Sequence, residues 1–482
     1  METPLFTALM KHTKRNPLSL HVPGHKNGTV FMNQAEQVYR GILPFDVTEL
    51  TGLDDLHHPK EAIAKAQQLT ATLYGVQNTY FLVNGSTVGN LAMILASSSK
   101  NDEVLVQRNS HKSIINGIQL AGASPIFLSP KVDNEYQVPT YVEIETIKEA
   151  IRRYPKAKAL ILTNPNYYGL TVDLTAIIQL AHKHRIPVLV DEAHGAHFIV
   201  GNEFPTSAIE AGADIVVHSA HKTLPAMTMG SFLHFNSKLI EKEKLDFYLS
   251  VLQSSSPSYP IMASLDLARA YLKSIKEDKK QAEILQVIES VKQQIHSIDE
   301  IVIVRSADKL VKTDPLKVTI RSTKGLTGFE LQDYFESQNI FAELADPTNL
   351  LFILPLANTI LSIKELEKIK GKFPNPSHST TNRQLVHTKI SQSNSNSIQS
   401  LEKPYSYLNE CERKLVAFDE AIGYYSAESI IPYPPGIPFI MIGEKITTTL
   451  IEQMKELMKS GVSIQGDHNI QQGKIAIFMK RR

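Results

Sequence analysis

The chain has 482 residues, 42% of them hydrophobic and 21% charged, ordinary values for a folded globular protein that exclude extended disorder. Lys plus Arg number 50 against 49 Asp plus Glu, a net charge of +1, so no global field is available to hold nucleic acid or an anionic membrane and any charged ligand must be recognised locally. The single cysteine, Cys411, excludes an intramolecular disulfide and any metal centre built from several thiolates.

The first residues, METPLFTALMKHTKRNP, hold no apolar run long enough for a signal peptide, and nowhere do about 18 apolar residues follow one another; the expectation is a cytosolic protein without membrane contact. The length predicts roughly two to four structural units. Between 60 and 321 helix-like and strand-like segments alternate, the signature of a doubly wound, mostly parallel α/β sheet. PKEAIAKAQQLTATLYG, 59–75, opens on Pro and closes on Gly as a helix does. TYFLV (79–83) reads as a strand, and NGSTVGN leads from it into a helix beginning near Val88. EVLVQ, PIFLS, ALILT, PVLVDE and DIVVHS are short continuous apolar runs of the kind buried strands show.

A helical pattern then runs from 266 to 298. A smaller α/β unit follows, with KVTIRS and LLFILPL as strands and ELQDYFES and KELEKIK as helices. The domain boundaries expected are 1–265 for an N-terminal segment plus a large cofactor domain, 266–372 for the small domain, 373–404 for a polar linker rich in Ser, Asn and Thr, and 405–482 for a C-terminal domain.

Three strand ends carry candidate chemistry: NGST (84–87), DEAHG (191–195) and SAHK (219–222). In a parallel sheet the carboxyl ends of strands converge on one crevice, so residues distant in sequence meet there. Gly85, Ser86 and Thr87 precede a helix and offer N–H groups and hydroxyls to a phosphate dianion, although Gly-Ser-Thr alone also fits a plain capped turn. Asp191 ends an apolar strand, where a carboxylate would meet a protonated pyridine nitrogen; alone it is more readily a capping aspartate at a strand-to-loop junction. Lys222 follows a buried strand, and partial desolvation favours a neutral amine able to form an imine. The joint order of phosphate loop, aspartate and lysine points to pyridoxal 5'-phosphate.

With these segments, HVPGHKNG (21–28), FDVTELTGLDDLHHP (45–59), RNSHKS (108–113), TNPNYYG (163–169), SSSPSY (254–259) and PYPPGIPFIMIGE (432–444) resemble the short form of the Orn/Lys/Arg decarboxylase family, fold-type I pyridoxal-phosphate enzymes. The resemblance implies decarboxylation of a basic amino acid, closest to the arginine decarboxylases of spore-forming bacteria, with lysine and ornithine open. It implies Lys222 as the Schiff-base lysine, Asp191 as the pyridinium partner and His111 as the imidazole stacked on the ring. Ala193 and His194 would lie near the opposite ring face, and Ser86, Thr87, Ser219 and His221 around the phosphate. Lys222 or His221 would return the proton. GSTVGN departs from the GTSGA-like form of relatives.

A distal ammonium or guanidinium needs a carboxylate. Glu428 and Glu343 lead the candidates, ahead of Asp54, Asp55 and Asp346. About 40 residues precede the cofactor domain, so the N-terminal wing of the large inducible members is not expected. A homodimer is expected, with SSSPSY reaching the partner's site. Other fold-type I reactions, such as aldol cleavage or transamination, and a non-catalytic regulatory homologue are the alternatives; polyamine synthesis and acid resistance are both compatible roles.

Overall fold

The computed structural model describes residues 1–358, 373–374, 397–433, 438–459, 463–465 and 468–480. The helix expected at KELEKIK, most of the polar linker and the centre of PYPPGIP lie outside those residues. The chain divides into two compact units, Met1–Ser97 with Pro187–Gln281, and Ser98–Ile186 with Ala282–Arg482.

In the first unit, helix α1 (Pro4–Lys14) starts on a proline and buries Leu5 and Leu9. Its first amides, Leu5 and Phe6, donate to the Asp266 carboxylate, which Arg269 also grips at 2.6 Å. Helix α2 (Ala62–Tyr74) closes on Gly75 in the left-handed conformation. It begins three residues after Pro59 because Asp54 takes the Lys60, Glu61, Ile63 and Ala64 amides, and those residues form its capping turn. Strand β1 (Asn78–Leu82), helix α3 (Gly85–Ser97), and strands β2 (Val188–Asp191) and β3 (Ile215–His218) follow. Then come the one-turn helix α4 (Ala220–Thr223), strand β4 (Ser231–Phe235), and helices α5 (Lys242–Leu252) and α6 (Tyr259–Glu277). The strands lie in the order β1, β4, β3, β2. β2 and β3 are parallel, while β4 is antiparallel to both neighbours. β2, β3 and β4 are buried residue by residue, which accounts for their unbroken apolar runs.

In the second unit Glu103–Gln107 runs parallel to both Ser124–Leu128 and Ala159–Thr163, and Ile398–Ser400 adds an antiparallel edge. A separate antiparallel sheet takes Ile301–Ile303, Lys317–Ser322, Leu350–Ile353 and Leu344–Ala345, covered by helix Gly328–Ser337. A third sheet, Glu412–Ala417, Lys474–Met479 and Tyr425–Ser426, packs on its own core around Phe418, Ile440, Met454 and Ile475.

The expected α/β class, with mostly parallel pairing among the buried central strands, is what the structure shows. Two elements differ from expectation. α3 starts at Gly85 rather than near Val88, because Gly85 at φ +76° turns the chain straight from β1 into the helix. The single helix expected over 266–298 is two, α6 and Gln281–His296, broken where Lys279 adopts φ +53°.

Candidate active site

The parallel register sets Asp191 of β2 opposite Val217 of β3, so the two strands end at the same edge and the residues after them share one crevice. Asp191 is 3% exposed. Its Oδ2 accepts from Asn90 Nδ2 at 2.9 Å and its Oδ1 from the Ala193 N–H at 3.2 Å. A buried carboxylate is tolerated only when donors replace its water, and these two do so while leaving it an acceptor for a cationic ring nitrogen.

Helix α3 can reach Asp191 because Gly89 lies flat against the sheet: a Cβ there would stand 2.7 Å from Leu82 Cδ1 and 3.0 Å from Val217 Cγ1. Gly85 ties the start of the helix to the far side of the crevice, its N–H donating to the Met229 carbonyl at 3.0 Å. The first amides of a helix have no partner within it, and Ser86 and Thr87 hold the second and third positions of α3. Ser86 Oγ accepts from Ser219 Oγ at 2.8 Å, while Thr87 is exposed.

Lys222 sits in α4, one turn after the end of β3. Its Nζ is 3.1 Å from His194 Nε2. His221 places Nδ1 3.1 Å from the Gly230 carbonyl, an acceptor, so Nδ1 carries a proton. Lys222, His194, Asp191, Ala193, Gly85, Ser86, Ser219 and His221 therefore belong to one compact unit.

His111 lies in the second unit as the N-cap of helix Lys112–Ala121, with Nδ1 accepting from the Ser113 amide at 3.3 Å and 2.8 Å from Ser113 Oγ. Glu428 and Glu343 are in that unit too. Glu428 Oε1 accepts the Ala476 amide at 2.7 Å, whereas the Glu343 side chain is exposed. Asp346 is buried and occupied by a turn, accepting from Tyr168 Oη and from the Thr348 and Asn349 amides. Asp54 caps α2, and Asp55 accepts the His57 amide at 2.8 Å.

Sequence reasoning passed over Asn90, although the signal was present. Ser86 and Asn90 are four residues apart, so a helix starting at Gly85 sets both on one face. It also passed over Gln253, whose Oε1 accepts the Val83 amide at 3.0 Å and holds the chain entering that helix.

A buried aspartate and a lysine at neighbouring parallel strand ends, facing a hydroxyl-bearing helix N-terminus, define an α/β protein of the fold-type I class. The fold agrees with solved structures: the Francisella novicida lysine decarboxylase superposes with a TM-score of 0.82 at 21% identity, covering 99% of this chain and 81% of that one. The chain belongs to the Orn/Lys/Arg decarboxylase family. Residues 3–313 match "Orn/Lys/Arg decarboxylase, major domain" and residues 384–474 match "Orn/Lys/Arg decarboxylase, C-terminal domain". It is 49% identical over 488 residues to the protein YaaO of Bacillus subtilis (100% of this chain, 99% of that one). It is 34% identical over 482 residues to the arginine decarboxylase of Bacillus anthracis (97% and 96%).

Proposed function

We propose that this chain is a pyridoxal-phosphate-dependent decarboxylase of a basic amino acid, with arginine as the preferred substrate. The observation that carries the reading is the Lys222–His194 contact at 3.1 Å beside a buried, donor-held Asp191, in a chain of this family. The preference for arginine rests on the similarity to arginine decarboxylases along nearly the whole chain.

The residues present fit the cofactor. A Cβ added at Gly85 would meet nothing within 4 Å, so the space in front of the α3 N-terminus is open, and the Ser86 and Ser219 hydroxyls flank it. Lys222 would hold the cofactor through its ε-amine, Asp191 would face the ring nitrogen, and Gly85, Ser86, Thr87, Ser219 and His221 would surround the phosphate. His111 takes the ring-stacking role that the family resemblance assigns. When bound, pyridoxal phosphate supplies the electron sink that lets the bond from Cα to the substrate carboxylate break, releasing carbon dioxide. Asp191, oriented by Asn90 and the Ala193 amide, would be the acceptor for the proton on that ring nitrogen. Lys222 Nζ delivers the proton that replaces the lost carboxylate at Cα, and His194 Nε2 shares that proton with it.

Glu343 and Glu428 remain the acids we assign to the distal cation, Glu343 with its carboxylate exposed and Glu428 with one oxygen bonded to the Ala476 amide. The working unit is a homodimer in the cytoplasm. Leu18, Leu20, Val22, Val30, Met32 and Val38 are each more than 60% exposed on the N-terminal segment, an apolar strip that a second copy would cover, and Ser254 to Ser256 are exposed to reach its site. Among the described residues no helix is long and apolar enough to cross a membrane.

The test is release of labelled carbon dioxide from carboxyl-labelled arginine, lysine and ornithine by protein loaded with cofactor. Arginine should react fastest, and Lys222→Ala should abolish release. Silence with all three amino acids overturns the reading.

A further inference from the structure

Asp191 and Glu192 are neighbours on one strand end, so their side chains leave opposite faces of the sheet. Asp191 and Val217 face α3, whereas Glu192 and His218 face the other way, toward Tyr74 of α2, whose ring lies 5.4 Å from that of His218 and 4.3 Å from that of His234. On that face one polar chain runs from β1 through β4 and β3 to Glu192, the residue that follows β2. Thr79 Oγ1 on β1 is 2.9 Å from His234 Nδ1 on β4. His234 Nε2 is 3.1 Å from His218 Nδ1 on β3, and His218 Nε2 is 2.8 Å from Glu192 Oε2. Exposure along the chain runs from 0% to 3%.

The donors can be assigned. The Ala208 amide and Ser207 hydroxyl donate to Glu192 at 2.8 and 2.6 Å, so the carboxylate is an acceptor. Burial, and then the neighbouring His218, hold His234 well below the ordinary imidazole range, so it is neutral and carries one N–H. One orientation then satisfies every atom without a second buried charge: Thr79 O–H to His234, His234 Nε2–H to His218, and His218 Nε2–H to Glu192.

We propose that this ladder is a positioning device for the lysine site, with Glu192 as its anchor, Glu192 and His218 being positioning residues rather than catalytic ones. The inference rests on reading Lys222 as the reactive lysine. Glu192 begins the segment 192–197, which carries His194 against Lys222. The same segment is fastened by the Gly195 amide on the Glu192 carbonyl at 2.8 Å, Ser219 N–H on the Ala193 carbonyl at 3.1 Å, and Tyr74 Oη on the Ala196 carbonyl at 2.6 Å. The alanine and glycine backbone can be held by such bonds only in register. The buried carboxylate, with donors from Ser207, Ala208 and His218 on both of its oxygens, supplies the fixed point. Loosening it lets the His194 ring move away from Lys222 Nζ without removing any group that touches substrate.

The test compares Glu192→Gln, His218→Gln and His218→Leu as cofactor-loaded enzymes, reading amide hydrogen exchange over 190–198 beside kcat and KM. Glu192→Gln turns an amide N–H₂ toward donors. It should speed exchange in that segment about tenfold or more and lower kcat about 10- to 100-fold with KM within about twofold. His218→Gln keeps a donor for Glu192 and should stay within about threefold of the parent in both measures, whereas His218→Leu, with no donor, should behave like Glu192→Gln. If Glu192→Gln does not fold, the two His218 variants decide the matter. Equal impairment of His218→Gln and His218→Leu, or unchanged exchange in a Glu192→Gln enzyme of low kcat, overturns the proposal. A parent protein that releases no carbon dioxide from any basic amino acid would overturn the proposed function instead, and the exchange measurement would still decide the ladder.

Discussion

Replacing Asn90 by Leu isolates the hydrogen bond that prepares Asp191. Asn90 is 1% exposed and Asp191 3%, and the Nδ2–Oδ2 distance is 2.9 Å. Leu keeps the branching and the number of non-hydrogen side-chain atoms of Asn but is bulkier, so the donor is lost and some overpacking of α3 on β3 is added. A buried hydrogen bond to a charged group contributes about 1.5–3 kcal/mol, and the carboxylate left short of a donor places the loss toward the upper part of that range. The cofactor-free variant should therefore unfold in urea with a free energy about 2–3 kcal/mol below the parent, followed by circular dichroism because the chain has no tryptophan. In the proposed cofactor-binding role, an Asp191 no longer oriented by Asn90 would pair less well with the ring nitrogen, and a weakening of about 1.4 kcal/mol would lower cofactor affinity about tenfold. The double variant with Asp191→Asn separates this bond from general damage, since the Asn90→Leu effect should nearly vanish once the carboxylate is gone. Additive losses in that cycle, or a single-variant loss below about 0.5 kcal/mol, would refute the reasoning.

Three further outcomes follow from the same contacts. At Asp54 burial opposes ionisation, but the amides of Lys60, Glu61, Ala64 and Asp55 prevail and hold its carboxyl below the ordinary 3.8. The stability it adds is therefore present above that value and lost as pH falls through the lower folded-state value, so Asp54→Asn, at a φ of +70° that Asn tolerates, should flatten the acid limb of a melting-temperature profile and cost about 1 kcal/mol at neutral pH. Arg108 grips both oxygens of Glu444 at 2.9 and 2.8 Å with side chains 12% and 18% exposed, so Arg108→Met should cost about 2–3 kcal/mol in urea unfolding and respond little to salt. In Gly328→Ala the new Cβ would stand 2.1 Å from the Asn349 carbonyl oxygen and 2.3 Å from that of Asp346. Both are backbone atoms that cannot rotate away, so the loss should reach about 3 kcal/mol, read as a fall in the denaturation midpoint.

The buried strands were legible because each is a continuous apolar run, and β2 and β3 end within a residue of where PVLVDE and DIVVHS placed them. The helix starts were less so, and for a definite reason. At α2 the capping acid is Asp54, eight residues before the helix begins, so no local pattern marks it. At α3 the start depends on the backbone angle of Gly85, and in the 266–298 region the break depends on that of Lys279, neither of which apolar periodicity reports. Lys222, Asp191 and the hydroxyls of Ser86 and Ser219 could be grouped from motif order alone. The Glu192 ladder could not, because it needs the strand order β1, β4, β3, β2, in which the neighbour in space of β1 is the strand that comes fourth in sequence in this unit.

The structure gives a physical reason for DEAHG and HSAHK to occur together. The two segments pair successively across the edge of the sheet: the Glu192 carboxylate with His218, the Ala193 carbonyl with the Ser219 amide, and His194 Nε2 with Lys222 Nζ. The first contact is fully buried, the second is backbone, and the third joins two side chains beyond the strand ends. A side chain that weakens the first is expected to act on the third through the rigid step between them, and changing one segment without the other would leave a buried carboxylate or imidazole short of its partner. Lys222 is thus set by two strand ends acting as one clasp, with Asp191 facing the helix on one side of the sheet and Glu192 facing the ladder on the other.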